Sequence, residues 1–169
     1  MHRIFLIFFV LFLISFSPAE NLPKHWHESG GFGTDIQGGL GGKVVKVTNL
    51  NNSGAGSLRH ALINQSGKRL IVFEVGGVID LAGQRLDIKN GDFTLAGQTA
   101  PKPGITLIKS DFVVRANNCV VSHIAMRLGD GCNCGSDAAD ILSKDVVFDH
   151  VAVSWGIDEG LSIGGASNV

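Results

Sequence analysis

A short polar-then-apolar unit recurs through the second half of the chain. Asp92-Phe93-Thr94-Leu95, Asn118-Cys119-Val120-Val121 and Asp145-Val146-Val147-Phe148 follow one another at offsets of 26 and 27, and Asn168-Val169 opens a further copy at an offset of 23. A strand-like unit returning at offsets this regular is the signature of a β-solenoid, in which each coil buries its apolar face only against the coils above and below. Short apolar runs separated by turn residues predict strands over 71–75, 78–81, 86–88, 93–96, 105–108, 112–115, 119–126, 146–153 and 161–163. Two or three strands per repeat imply a coil with two or three flat faces. Because alternate strand residues point inward, Phe93, Cys119 and Val146 predict one internal ladder, and Leu95, Val121 and Phe148 another. His123 and His150 also fall in register, 27 apart, and read as a satisfied internal ladder rather than a catalytic pair.

The N-terminal part of the chain, up to position 69, breaks this pattern. Residues 1–19 read as a secretory signal: His2 and Arg3 precede an apolar run from Ile4 to Ile14, with small residues at Ser17 and Ala19. The run is short for a bilayer span of about 20 residues, which favours export, cleavage near Ala19 and no stable membrane association afterwards. Residues 20–69 form an N-terminal segment and cap, and residues 70–169 the coils, with the stack incomplete at its C-terminal end. The glycine-rich stretch from Gly30 to Gly42 lacks the Gly-Lys-Ser/Thr of a phosphate loop, so it reads as tight turns laid over the end of the stack. Val44 to Thr48 reads as a strand. Ser57 then caps a short helix whose apolar face is Leu58, Ala61 and Leu62. Such a helix would cover the open strand edges of the first coil.

Charge and cysteine content narrow the classes of function. The formal net charge is −1 with no basic stripe, which excludes nucleic acid as a natural partner, because phosphate binding needs clustered Lys and Arg. Of the three cysteines, Cys119 occupies a strand core position and reads as a buried small hydrophobe. Cys132 and Cys134, two apart in a Gly-rich turn, could bridge only with strain and do not make a zinc signature. Their connectivity stays open.

The candidate chemistry lies in two acidic turns. Asp137 opens Asp-Ala-Ala-Asp-Ile-Leu, and Asp158 with Glu159 opens Asp-Glu-Gly-Leu-Ser-Ile at an offset of 21 (158 minus 137). Each turn precedes a strand, so both lie on the same edge of neighbouring coils, where strands stack about 4.8 Å apart. Carboxylates at that spacing can share one hard cation with oxygen ligands at about 2.4 Å, and Ca2+ is the natural one outside the cell. Asp140 is a further ligand if the turn register shifts. The competing reading is of ordinary solvated turn acids. Trp155 suits either stacking on a sugar ring or packing a coil corner.

Four segments carry a family resemblance: 47–59 (VTNLNNSGAGSLR), 95–101 (LAGQTAP), 127–130 (RLGD) and 147–159 (VFDHVAVSWGIDE). In this order they resemble the pectate lyases of polysaccharide lyase family 1, from about Gly31 onwards and over the first half or so of such a domain. The resemblance implies an all-β fold, a right-handed single-stranded parallel β-helix with a short N-terminal capping helix. It also implies a secreted (extracellular or periplasmic) protein that cleaves pectate, an acidic plant cell-wall polysaccharide, by calcium-dependent β-elimination. In that chemistry calcium bridges enzyme and uronate carboxylate, which acidifies the neighbouring carbon, and an arginine removes the proton. An arginine acting as base needs surroundings that depress its pKa.

Carried over residue by residue, Asp137 matches the acid opening an Asp-Ala turn, and Asp158 the first acid of the later calcium pair, with Glu159 and Asp140 beside them as metal ligands. Arg127 and Trp155 are the candidate substrate-binding residues. Two positions depart from the pattern: Ser162 stands where many members have a second acid four residues after Asp158, and Gly135 where some have an Asp two residues before Asp137. Fewer charged ligands lower calcium affinity, so the site would fill when substrate carboxylates contribute. The catalytic arginine of the family falls beyond Val169, on coils after the Ser-Trp segment. Arg115 and Arg127 stand in the wrong motif for that role, and pairing with nearby acids or lining the outer face is their ordinary use. Little or no activity is therefore expected of these 169 residues alone. The alternative is a non-catalytic extracellular solenoid, either glycan-binding or structural.

Overall fold

The computed structural model describes residues 32–132 and 136–169. The signal-like segment 1–19, Cys134 and Gly135 lie outside the described residues. Among the described residues thirteen strands stack in parallel into three sheets that form the faces of a β-helix. The first sheet holds β1 (Lys43–Val47), β2 (Arg69–Phe73), β5 (Phe93–Ala96), β8 (Cys119–Ser122) and β11 (Val146–Asp149), in that order. The second holds β3 (Gly77–Asp80), β6 (Ile105–Ile108), β9 (Ile124–Arg127) and β12 (Ala152–Ser154), and the third β4 (Leu86–Ile88), β7 (Phe112–Val114), β10 (Ala139–Ile141) and β13 (Leu161–Ile163). The strand expected after the Asp137 turn is Ala139–Ile141, short and with an acid at its centre.

The repeat unit has a physical explanation at each of its positions. Its polar residue, Asp92, Asn118, Asp145 or Asn168, adopts positive φ between 54° and 60°, a conformation that Asn and Asp tolerate better than other side chains. These residues also bridge coils, Asn118 donating to Asp92 at 2.7 Å and Asn168 to Asp145 at 2.7 Å. The apolar residues pair as the alternation predicts, Phe93 with Cys119 and Val146, and Leu95 with Val121 and Phe148. Phe93, Leu95, Cys119, Val121 and Val146 are fully buried in one continuous core.

Two long strands expected from the apolar pattern are each two. Residues 119–126 divide at His123 and residues 146–153 near His150, both at positive φ (55° and 53°). At these points the chain turns from the first sheet to the second within one or two residues, a corner that hydrophobic periodicity does not register. It also moves the histidines. Their rings stack with centroids 4.5 Å apart and planes 8° from parallel, but at the outer corner rather than inside, and His150 is exposed.

The cap at the N-terminal end is built around two residues. Ser57 Oγ accepts from the His60 N–H at 3.1 Å, and Leu58, Ala61 and Leu62 are buried on a short helix that continues as a π-turn over His60–Asn64. Arg69 in β2 is fully buried. Its guanidinium donates to the carbonyls of Ala61, Leu62, Gly67, Asn90 and Gly91 at 2.8–3.1 Å and lies 5.3 Å over the Phe93 ring. Ala61 and Leu62 belong to the helix, whose last carbonyls have no partner of their own.

The described part of the glycine-rich stretch does not cover the end of the stack. It runs across the outer face of the first sheet, where the Gly38 N–H donates to Asn118 Oδ1 at 2.8 Å and the Gly39 N–H to Thr94 Oγ1 at 3.0 Å. A Cβ on Gly39 would stand 1.8 Å from the Arg69 carbonyl oxygen. The expected tight turns are present, closed by Ile36 N–H to Gly33, Leu40 N–H to Gln37 and Gly42 N–H to Gly39, but the glycines set them against the sheet as a strap.

Candidate functional site

The third sheet has an acidic groove at its outer edge. Asp137 and Asp158 stand in turns just before β10 and β13, and β10 pairs with β13 so that Ala139 faces Leu161 and Asp140 faces Ser162. Extending that register by two positions sets Asp137 opposite Glu159, an offset of 22 rather than the 21 that separates it from Asp158. The Glu159 N–H accordingly donates to Asp137 Oδ1 at 2.8 Å. Asp137, Asp140 and Asp158 line one open groove of about 230 Å³ together with Ser136, Arg85 and Arg115. The Ser162 hydroxyl is shared by the Glu159 and Asp137 carboxylates and can donate to only one of them at a time.

Crowding sets the proton affinities. The Asp137 carboxyl is held below its ordinary pKa, first by the Ser162 hydroxyl and then by the Glu159 N–H. Asp140 is pushed up, first by burial and then by the negative charge of Asp137, with Asp111 adding to the rise and Arg85 opposing it. Two neighbouring carboxyls moved in opposite directions are the mark of a pair that resists double ionisation. A cation between them would relieve that resistance, and every donor is a hard oxygen, which fits calcium better than a softer metal.

Both groove arginines are held by acids. Arg85 Nε stands 2.6 Å from Asp111 Oδ2, and Arg115 Nε 2.9 Å from Asp87 Oδ1. Arg115 thus has the ordinary pairing role expected of it. Arg59 extends the network, donating to the backbone carbonyls of Arg85 and Gln84 at 2.7 and 2.6 Å, so the segment carrying Arg85 is braced against the cap.

The other two candidate residues lie elsewhere. Arg127 ends β9, and its guanidinium lies 5.5 Å over the ring of Trp155, which is 65% exposed. Neither lines the acidic groove. A third cluster, His123, Asp149 and His150, has potential ligand atoms within 4.8 Å of one another. The register of the histidines is visible in the sequence, but their grouping with Asp149 is not. The rings are nearly parallel, so their in-plane lone pairs run side by side instead of converging, and Asp149 Oδ1 already bonds His150 Nδ1 at 2.7 Å. That geometry suits a ladder better than a metal. Cys119 is a free, buried thiol with its pKa pushed up to about 12 by burial.

A protein named "Probable pectate lyase C" from Aspergillus flavus is 42% identical over 167 residues, which are 97% of this chain and 36% of that protein. Its namesake from Neosartorya fischeri is 42% identical over 160 residues, 93% of this chain and 37% of that protein. Nearly all of the chain is similar to pectate lyase C. It spans only about a third of the length of these curated relatives. The crystal structure of jun a 1, the major allergen from cedar pollen, superposes with a TM-score of 0.63 over 82% of this chain and 46% of that one, at 19% identity. That likeness establishes the parallel β-helix as a shared fold. No protein-family model matches the chain.

Proposed function

We propose that this chain provides the cation- and uronate-binding part of a secreted pectate lyase. The observation that carries the proposal is the grouping of Asp137, Asp140 and Asp158 on one groove, where the proton affinities of Asp137 and Asp140 move in opposite directions. The pectate lyase C relatives support the substrate class, and the signal-like pattern of residues 1–19 supports export. Among the described residues no helix is long and apolar enough to cross a membrane.

In this reading Asp137, Asp140, Asp158 and Glu159 hold Ca2+, and polygalacturonate is the partner. The bound ion supplies a positive charge that stabilises the carbanion-like charge developing beside the uronate carboxylate. Asp137 is the ligand whose charged form the surroundings favour, through the Ser162 hydroxyl and the Glu159 N–H. Asp140, whose charged form is disfavoured by burial and by Asp137, gains most from a neighbouring cation. Arg85 and Arg115, tied to Asp111 and Asp87, frame the groove with positive charge suited to a polyanion. In the elimination itself the carbon next to the carboxylate loses its proton, the adjacent carbon–oxygen bond to the next sugar breaks, and a carbon–carbon double bond forms. The resemblance assigns the base for that step to an arginine outside this segment, so binding is the role proposed for these residues.

The test is calcium-linked stability. Saturating a real site at about 100 times Kd stabilises the fold by about 2.7 kcal/mol. Melting temperature should therefore climb with calcium for the wild-type chain and stay flat for Asp137→Asn. Equal response in both would defeat the proposal. Release of unsaturated uronides from polygalacturonate, followed by near-ultraviolet absorbance, distinguishes a lyase from a glycan-binding solenoid.

A further inference from the structure

A second groove, separate from the acidic one, lies on the outer face of the second sheet. It has a volume of about 420 Å³, within the roughly 300–1,000 Å³ common for small-ligand clefts. Its floor is a row of small side chains, Thr106, Ala125 and Ala152, brought together by the register of β6, β9 and β12. Their inward-facing neighbours Leu107 and Met126 fill the core, so the strand alternation that packs the coil also leaves this face shallow. Gln98 and the stacked histidines His123 and His150 form one wall, and Arg127 stands at the other.

The charge of this groove is one-sided. No carboxylate is among its described lining residues, whereas the Arg127 guanidinium is. Asp149 stands behind the histidines and is engaged with His150 at 2.7 Å. Asp80, two coils away in register with Ile108 and Arg127, is bonded to Lys109 at 2.5 Å. Arg127 has no carboxylate in salt-bridge range among the described residues, and its guanidinium rests on the exposed face of Trp155. A guanidinium resting on an aromatic ring keeps donors for a ligand carboxylate.

We infer that the groove on the second sheet is an accessory binding site for an acidic oligosaccharide. Arg127, resting on the Trp155 ring, takes the uronate carboxylate, and Gln98 and Thr106 meet sugar hydroxyls. The site holds a polymer strand on a different face of the helix from the acidic groove and requires no metal. This inference rests on the uronan reading above and extends it to a second locus.

The experiment titrates tetragalacturonate into the wild-type chain in excess EDTA, with neutral galactotetraose as control, and maps amide shifts by NMR. Binding should persist without calcium, with shifts at Thr106, Ala125 and Arg127. Arg127→Gln should weaken it about tenfold, as should Ala152→Glu, which sets a negative charge in the floor, with melting temperatures unchanged in both. No binding in EDTA, unaltered affinity in Arg127→Gln, or equal binding of the neutral sugar would overturn the inference. Shifts that appear only with calcium and only around Asp137 and Asp158 would sink this site while leaving the proposed function standing. Calcium-free binding at Arg127 with no calcium response at Asp137 would do the reverse.

Discussion

Arg69 is the most exacting test of how this fold is held together. Its guanidinium is fully buried, and all of its N–H groups go to carbonyls. In Arg69→Ala the carbonyls of Ala61 and Leu62 lose a buried partner, at about 1–3 kcal/mol each. The carbonyls of Gly67, Asn90 and Gly91 sit in partly exposed turns and recover water at little cost. Loss of the cation over Phe93 adds about 1 kcal/mol. Relief works in the other direction, because burial without an ion-pair partner already lowers the proton affinity of Arg69. Removing such a desolvated charge returns about 2 kcal/mol. The net expectation is a loss of about 3 kcal/mol, or roughly 10 °C in Tm for a chain of this size. Urea unfolding followed by far-ultraviolet circular dichroism measures it. Arg69→Lys should rescue little, since an ammonium carries three donors and cannot reproduce the planar fork. Full rescue by lysine, or a loss below about 1 kcal/mol in the alanine variant, would refute the view that donor geometry at this position ties the cap to the first coils.

Three further outcomes follow from particular contacts. Gly39→Ala should cost more than about 2 kcal/mol, because the new Cβ would meet the Arg69 carbonyl at 1.8 Å; a thermal melt matching wild type would contradict the strap. Cys119, with its pKa pushed up to about 12, should resist alkylation at pH 8 until the protein unfolds, as read by peptide mass mapping; rapid labelling of the native protein would count against its burial. The Asp80 carboxyl lies below its ordinary 3.8, first because of the Lys109 ammonium, so the pair's contribution is present above that pH and lost as pH falls through the folded pKa. Lys109→Ala should return the Asp80 titration towards 3.8 in an NMR pH series, and an unmoved titration would show that the contact does not form in solution.

Much of the architecture is legible in the one-dimensional pattern. The recurrence of Asp92, Asn118 and Asp145 ahead of apolar pairs specifies stacked coils, because a strand with one apolar face and a polar corner can be satisfied only by copies of itself. The inward ladders, the Ser57 cap and the burial of Cys119 follow from the same alternation. The two acidic turns are visible for a similar reason, since each stands immediately before a recognisable strand or acid-interrupted apolar run.

Only the tertiary structure decides what those residues meet. Register between stacked strands is not a constant offset: Ile105 of β6 pairs with Ile124 of β9, whereas Gly77 of β3 pairs with Ile105 of β6, a much longer step along the chain. Turns of unequal length absorb the difference, so spacing along the chain cannot say that Asp137 lies opposite Glu159 and not Asp158. Single residues at positive φ, His123 and His150, redirect the chain from one sheet to the next, and no hydrophobic period records a corner that short. Arg127 consequently lines a groove of its own, apart from the acids with which it shares the sequence. Arg69 was hidden for the converse reason. A lone arginine beside an apolar run reads as surface, and only the convergence of helix end, turn and coil on one point makes its burial favourable.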